Sequence, residues 1–179
     1  MKKILFISST NNISTGSYRI WVNDLNQYFQ ECGISSTISY GIPRSVSEYD
    51  IIICGKSDAD AAVAVKKTFP EKKVGVINLS SDRKNLPIDF VVVGSMEEMD
   101  SLSHYDNVFL YPLIERAYQS SGDYKRHEES SVLRIGFHGH YPHLNKFCPY
   151  LHRALEDLEK KREIELLIIT TDNSFEWEV

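Results

Sequence analysis

The sequence predicts an α/β protein built on a doubly wound parallel sheet. Three observations carry that expectation. Short apolar runs recur along the chain: "KKILFIS" (2–8), "YDIIICG" (49–55), "KKVGVINL" (72–79), "IDFVVVGS" (88–95) and "NVFLYPL" (107–113). None shows polar alternation, which is how strands covered on both faces read. Stretches of helical period lie between several of them, and parallel strands need crossovers of that kind.

The elements follow in order. After the first strand, Tyr18, Trp21, Val22, Leu25, Tyr28, Phe29 and Cys32 recur at spacings of three and four. That is one apolar face of a helix, with Gly33 as its stop. "STISY" (36–40) is a weaker strand. "SDADAAVAVKKTF" opens on Ser57 and Asp60, a cap-like pair, and reads as a helix. "SSDRKNLP" is loop. Ser95 with Glu98 forms a capping-box pattern for the short helix "MEEMDSLSHY". Right-handed crossovers would make this a Rossmann-like layer, with its ligands at the carboxyl ends of the strands.

From Glu115 to Ser131 the chain turns polar and loses its period, so 1–114 reads as a first domain and 115–130 as a linker. The pattern restarts at 131. "VLRIGFHG" (132–139) is a strand. "HLNKFCPYLHRALEDLEKKRE" is mostly helix, with Leu144, Phe147, Cys148, Leu151, Leu155 and Leu158 as its stripe. Pro149 is expected to kink this helix or to open its first turn. "IELLIITTD" (164–172) is a last strand. Residues 131–179 thus read as an incomplete second domain, βαβ only.

Composition narrows the function. The 179 residues are 42% apolar and 25% charged, with a formal net charge of −5. No basic field is present to hold nucleic acid. Cys32, Cys54 and Cys148 are odd in number and form no CxxC, so they read as buried free thiols of a reducing compartment. The N-terminus lacks a signal-peptide pattern, and no apolar run approaches the ~20 residues that span a bilayer. The expected location is cytoplasmic. Lys66, Lys67, Lys72, Lys73, Arg83 and Lys84 cluster in sequence. They read either as a peripheral contact with an anionic membrane or phosphorylated lipid, or as a solvated helix end.

Two turns attract attention as sites. In "SSTNNISTGSYR" (8–19), Gly16 gives flexibility, Ser17 can cap the first helix and Arg19 can meet a phosphate or carboxylate. The same stretch also reads as a plain capped turn. "STGS" is similar to the phosphate loop of flavodoxins, which hold FMN, although here Thr10 to Ser14 intervene after the strand. In "VLRIGFHGHYPHLNKF" (132–147), His138, His140 and His143 have the spacing of the HxHxDH motif of metallo-β-lactamase-like hydrolases. Pro142 stands where the Asp belongs and only His152 follows, so no metal is expected. A phosphate cradle fits better. Gly136 and Gly139 let backbone approach a ligand, the next helix offers N–H groups, and His140 and Lys146 add donors. An ordinary strand-to-helix turn remains the alternative. Asp82, after "GVINL", is the first-domain carboxylate expected at a ligand-facing edge. A receiver domain is excluded, because Asp50 lies at the wrong end of its strand and Ser8-Ser9 replace the acids.

"KKILFISS" with its polar loop, "SYRIWVNDLNQYFQECGI", "YDIIICGKS", "DFVVVGSMEEMDSL", "NVFLYPLIE" and "LRIGFHGHYPHLNKF" together resemble the shorter two-domain glycosyltransferases of the GT-B kind. The likeness is to their retaining family 1/4 style, and covers nearly the whole chain. The resemblance implies transfer of a sugar from a nucleotide diphosphate sugar to an acceptor hydroxyl, in polysaccharide or glycoconjugate synthesis, without cofactor. It places Gly16, Ser17, Arg19 and Asp82 on the substrate side. It places Gly136, His138, Gly139, His140 and Lys146 at the donor phosphates. The family's Glu-x7-Glu element would fall beyond Val179, so this fragment is expected to be inactive. Where many members carry a His, this chain has Ser80-Ser81-Asp82, which leaves the catalytic group unassigned. The alternative is a flavodoxin-like FMN-binding module.

Overall fold

The computed structural model describes residues 2–80, 82–83, 85–111, 130–139 and 141–169, with side chains omitted at 138 and 141–149. The chain divides into two compact units, Met1–Gly122 and Asp123–Val179. The expected linker lies almost wholly outside the described residues.

The first unit is a six-stranded, all-parallel sheet. Its strands are β1 (Lys3–Ser8), β2 (Ser35–Tyr40), β3 (Ile51–Cys54), β4 (Lys73–Ile77), β5 (Phe90–Val93) and β6 (Val108–Leu110). They lie in the order β2-β1-β3-β4-β5-β6. This is the α/β, Rossmann-like parallel sheet that the apolar runs foretold. The chain winds outward from β1 to β2, then returns to β3 and winds the other way. Crossovers of one hand then put the helix before the reversal on one face and the helices after it on the other.

One face packs on α2 (Ala59–Thr68) and α3 (Met96–Ser101). Its core is Leu5, Ile7, Ile52, Val74, Val76 and Val91, closed by Ala62, Val65 and Leu102. The other face packs on α1, a helix over 16–31 that contributes Tyr18, Trp21, Val22 and Leu25 against Ile4, Phe6, Ile53 and Ile77. The alternate residues of each strand thus feed two separate cores, which is why the runs show no polar alternation.

The end of α1 has a local cause. Its C-terminus is a Schellman stop. Gly33, at φ +74, donates to Gln30 O, and Ile34 N–H returns to Phe29 O at 2.8 Å. Its interior departs from the expected pattern. Gly16–Tyr18 and Leu25–Glu31 are α, but Arg19–Asp24 winds as a π-helix. Wider turns of this kind cluster at functional sites. Tyr28 and Cys32, expected on the buried stripe, are exposed.

Three sequence expectations change. Ser57 and Asp60 do not cap α2. Lys56–Asp58 forms a 3₁₀ turn first, Asp58 takes the N-cap position, and Asp60 pairs with Arg83 at 2.7 Å. Ser17 does not cap α1 either, because Thr15 is the N-cap and Ser17 lies inside the first turn. The sheet is also less covered than expected. The β4–β5 connection carries no helix, so an apolar groove lined by Ile51, Ile53, Phe90, Val92, Phe109 and Leu110 stays open among the described residues. The Ser95–Glu98 cap does form. Glu98 N–H donates to Ser95 Oγ, and Glu98 Oε2 reaches back to Gly94 N–H at 2.8 Å.

The second unit pairs β7 (Leu133–His138) with β8 (Ile164–Ile169) in parallel across α4 (Tyr141–Glu159). The α4 backbone runs helically through Pro149, so the proline neither opens the helix nor breaks it. Leu155 is buried, while Leu167 and Ile169 are exposed. Among the described residues, no helix is long and apolar enough to cross a membrane.

Candidate functional site

In a doubly wound sheet the winding reversal leaves a crevice at the carboxyl ends of the two diverging strands. Here those strands are β1 and β3. The crevice is lined by Ser8 at the end of β1, Ser9 and Thr10 after it, Ser17 from α1, and Gly55, Lys56, Ser57 and Asp58 after β3. Trp21 and Val22 of the π-segment form its apolar wall, and Asn78 closes it from the end of β4.

The walls are held by the chain's own polar groups. Ser9 N–H donates to Asp58 Oδ2 at 3.1 Å. Ser8 Oγ donates to Thr10 O at 2.9 Å and accepts from Thr10 N–H. Asn12 N–H donates to Thr10 Oγ1, and Ser14 N–H to Asn12 Oδ1. Arg19 Nη1 donates to Ile13 O at 3.0 Å, bracing the loop from behind. Asn78 sits at φ +53, a left-handed conformation uncommon outside glycine. Tyr18 OH meets Tyr40 OH at 3.2 Å. Burial and that contact push the Tyr18 phenol up to about 12. Burial, with the Asp58 charge beside it, likewise pushes the Cys54 thiol up to about 12. Neither group ionises at neutral pH.

Of the residues singled out from sequence, Ser17 lines this crevice. Gly16 opens α1 beside it, and an added Cβ there would meet Arg19 Nη2 at 4.0 Å. Arg19 spends one Nη on its own loop. Asp82 lies on an exposed turn beyond β4, where the Ser80 hydroxyl holds its carboxyl below the ordinary value. In the second unit, Gly136 sits inside β7 opposite Leu167 rather than at the strand's end. Gly139 N–H donates to Ile169 O at 3.1 Å, which spends that donor on the sheet edge. His140 lies outside the described residues, as do the side chains of His138, His143 and Lys146. Among the described residues no cluster of side chains could hold a metal ion.

No family model, curated protein or solved structure matches this chain. The crevice therefore has to be read from its own chemistry.

That chemistry includes residues that sequence reasoning did not single out: Lys56, Asp58 and Asn78. The strand-end rule could have found the first two, since "GKSD" follows "YDIIIC" directly. Nothing in the sequence marks Asn78, whose importance comes from its backbone conformation. Of the six basic residues that suggested a patch, Lys66, Lys72, Lys73 and Arg83 are engaged within the fold, and Lys84 lies outside the described residues. Lys66 Nζ reaches Asp89 Oδ2 at 2.7 Å, Pro70 O and Lys72 O. Lys72 Nζ donates to Ser47 O, Lys73 to Asp89, and Arg83 to Asp60.

Proposed function

We propose that the chain is part of a glycosyltransferase that moves a sugar from a nucleotide diphosphate sugar to an acceptor hydroxyl, with the first unit on the acceptor side. The observation that carries this reading is the crevice at the β1/β3 reversal. It combines hydroxyls, one ammonium, one carboxylate and an amide beside an aromatic wall. Such a set can grip a hydroxyl from both its donor and its acceptor sides. Thr15 makes no side-chain bond to the first turn of α1, so the helix's N-terminal N–H groups are not taken by their cap. The resemblance noted above assigns the diphosphate to the turn after β7. There His140 and Lys146 would offset the charge that builds on the leaving group.

The flavodoxin-like alternative has one feature in its favour. Strand order 2-1-3-4-5 is common to that fold, where FMN sits at the same β1/β3 reversal. The room is small, however. At the reversal itself the cavity measures ≈ 40 Å³, well under the ~300–1,000 Å³ of pockets that enclose drug-sized ligands, so an isoalloxazine ring would have to lie outside it.

Calorimetric titration with UDP-, GDP- and TDP-sugars separates the two readings. Weak but saturable heat with at least one donor, from a colourless protein, is expected. A yellow protein that releases FMN on denaturation, with no heat from any sugar nucleotide, would replace this reading with the alternative.

A further inference from the structure

The small cavity at the reversal continues along the same edge of the sheet. A wider pocket of ≈ 290 Å³ lies over the ends of β4 and β5, lined by Lys56, Asn78, Leu79, Ser80, Glu97 and Glu98. Lys56 and Asn78 line both, so the two form one cleft with a narrow end and a broad end. The narrow end, at ≈ 40 Å³, admits only a group or two the size of a water, which needs roughly 15 Å³.

The charges of this cleft select against anions. One lysine faces three carboxylates, Asp58, Glu97 and Glu98, a balance of −2. Glu97 is exposed, and bonds from its own N–H and the Ser95 hydroxyl keep its carboxyl ionised well below the ordinary value. A cleft with net negative charge lowers the local concentration of anionic ligands. The remaining lining gives hydroxyls and an amide that serve as both donors and acceptors, with Leu79 as an apolar contact.

We propose that this cleft takes the uncharged end of a carbohydrate acceptor, with one hydroxyl in the narrow end at the β1/β3 reversal and the sugar ring over Asn78, Leu79 and Ser80. The assignment rests on the transferase reading and names its acceptor class. It excludes acceptors that present a phosphate or a uronic acid at this position.

The test is amide-resolved NMR of the ¹⁵N-labelled 179-residue chain. The probes are the methyl glycosides of glucose, galactose, mannose and N-acetylglucosamine, with methyl glucuronide, methyl galacturonide and inorganic phosphate as anionic counterparts. At least one neutral glycoside should shift the Asn78, Leu79 and Ser80 amides saturably. Its uronide should bind about fivefold more weakly, roughly the effect of one unit charge at close range in water. Glu97→Gln should narrow that gap, and Ser80→Trp should abolish the shifts by filling the broad end. Either variant's dispersed spectrum shows that it has folded. The proposal is overturned if no neutral glycoside moves these amides, if phosphate or a uronide binds them as tightly, or if E97Q leaves the gap unchanged. The sugar-nucleotide titration keeps the two readings apart. Donor binding without glycoside shifts removes this inference alone. Glycoside shifts without any donor binding leave a carbohydrate site and remove the transferase reading.

Discussion

Ser9 N–H donates to Asp58 Oδ2 at 3.1 Å, so a single carboxylate ties the turn after β1 to the turn after β3. These are the two strands that diverge at the winding reversal, and the tie sets the width of the crevice between them. Asp58→Ala leaves the Ser9 N–H without that partner. The expected cost is about 1 kcal/mol, read as a lower urea midpoint. Asp58→Asn keeps an acceptor oxygen and should recover most of the stability. Neither variant should retain full affinity for a ligand that reaches Asp58.

Cys54 lies directly beneath this turn, fully buried. Burial, and secondarily the Asp58 charge, push its thiol up to about 12, so almost no thiolate exists at pH 8. Cys32 is exposed. Alkylation at pH 8 followed by peptide mapping should find Cys32 modified and Cys54 intact in the folded protein. Because burial is the larger cause, Asp58→Asn should leave Cys54 protected. Rapid labelling of Cys54 in that variant would mean that Asp58 holds the turn closed rather than merely adding charge.

Of the first unit's described carboxylates with shifted values, Asp89 is the partly buried one, while Asp82 and Glu97 are exposed. Burial works against its ionisation, but the Lys66 ammonium at 2.7 Å, the Val74 N–H at 2.9 Å and Lys73 outweigh it. Its carboxyl is therefore held below the ordinary 3.8. A depressed folded-state value stabilises the protein above the unfolded value, and that contribution fades as pH falls from about 3.8 through the folded value. Urea midpoints should be flat in this respect near neutrality and drop below pH 4. Asp89→Asn should cost about 1–3 kcal/mol at pH 7, and its own midpoint should fall less on acidification. Parallel acid limbs in the two proteins would assign the acid sensitivity to other carboxylates.

Gly33 gives a cleaner measure of local conformation. An added Cβ there meets nothing within 4 Å, so Gly33→Ala introduces no clash. The only penalty is holding an L-residue at φ +74. That should cost roughly 1–2 kcal/mol, or a few degrees in Tm. A d-alanine placed at Gly33 by chemical ligation should restore the loss.

How far the sequence could be read follows from which forces act locally. Gly33 was legible as a stop because its need is set by one turn of backbone. The six strands were legible because Leu5, Phe6, Ile52, Val76 and Val91 must all be buried in a sheet with two cores. The Ser95–Glu98 cap was legible because its four residues suffice to make it. The Ser57–Asp60 cap was not, because the chain first makes a 3₁₀ turn over Lys56–Asp58, which puts Asp58 at the N-cap position. The π-segment of α1 leaves the three-and-four spacing of Tyr18, Trp21, Val22 and Leu25 intact, so the periodicity could not reveal it. Ser17 was found because it follows a strand-end loop. Lys56 and Asn78 come together only when β1, β3 and β4 are side by side, a long-range fact that no local pattern encodes.

The pairing of Gly75 with Phe90 offers the sharpest test of the packing. The two residues are directly opposite across β4 and β5, and a Cβ on Gly75 would clash with the Cδ2, Cε2 and Cζ carbons of the Phe90 ring. The ring leans over the glycine and meets Phe109 edge-on, with centroids 6.1 Å apart. This is the face left open beyond α1, so Phe90 uses the space above Gly75 as its seat. Gly75→Ala must push the ring outward into the groove. Overpacking of this kind should cost about 1–3 kcal/mol. Phe90→Leu alone loses aromatic burial and the Phe109 contact, and should also destabilise. Together the substitutions should cost less than the sum of their separate effects, because the leucine no longer occupies the volume that the alanine methyl needs. A coupling of at least about 0.5 kcal/mol is expected for residues in direct contact. Strict additivity in chemical denaturation would mean that the Phe90 ring does not rest on Gly75.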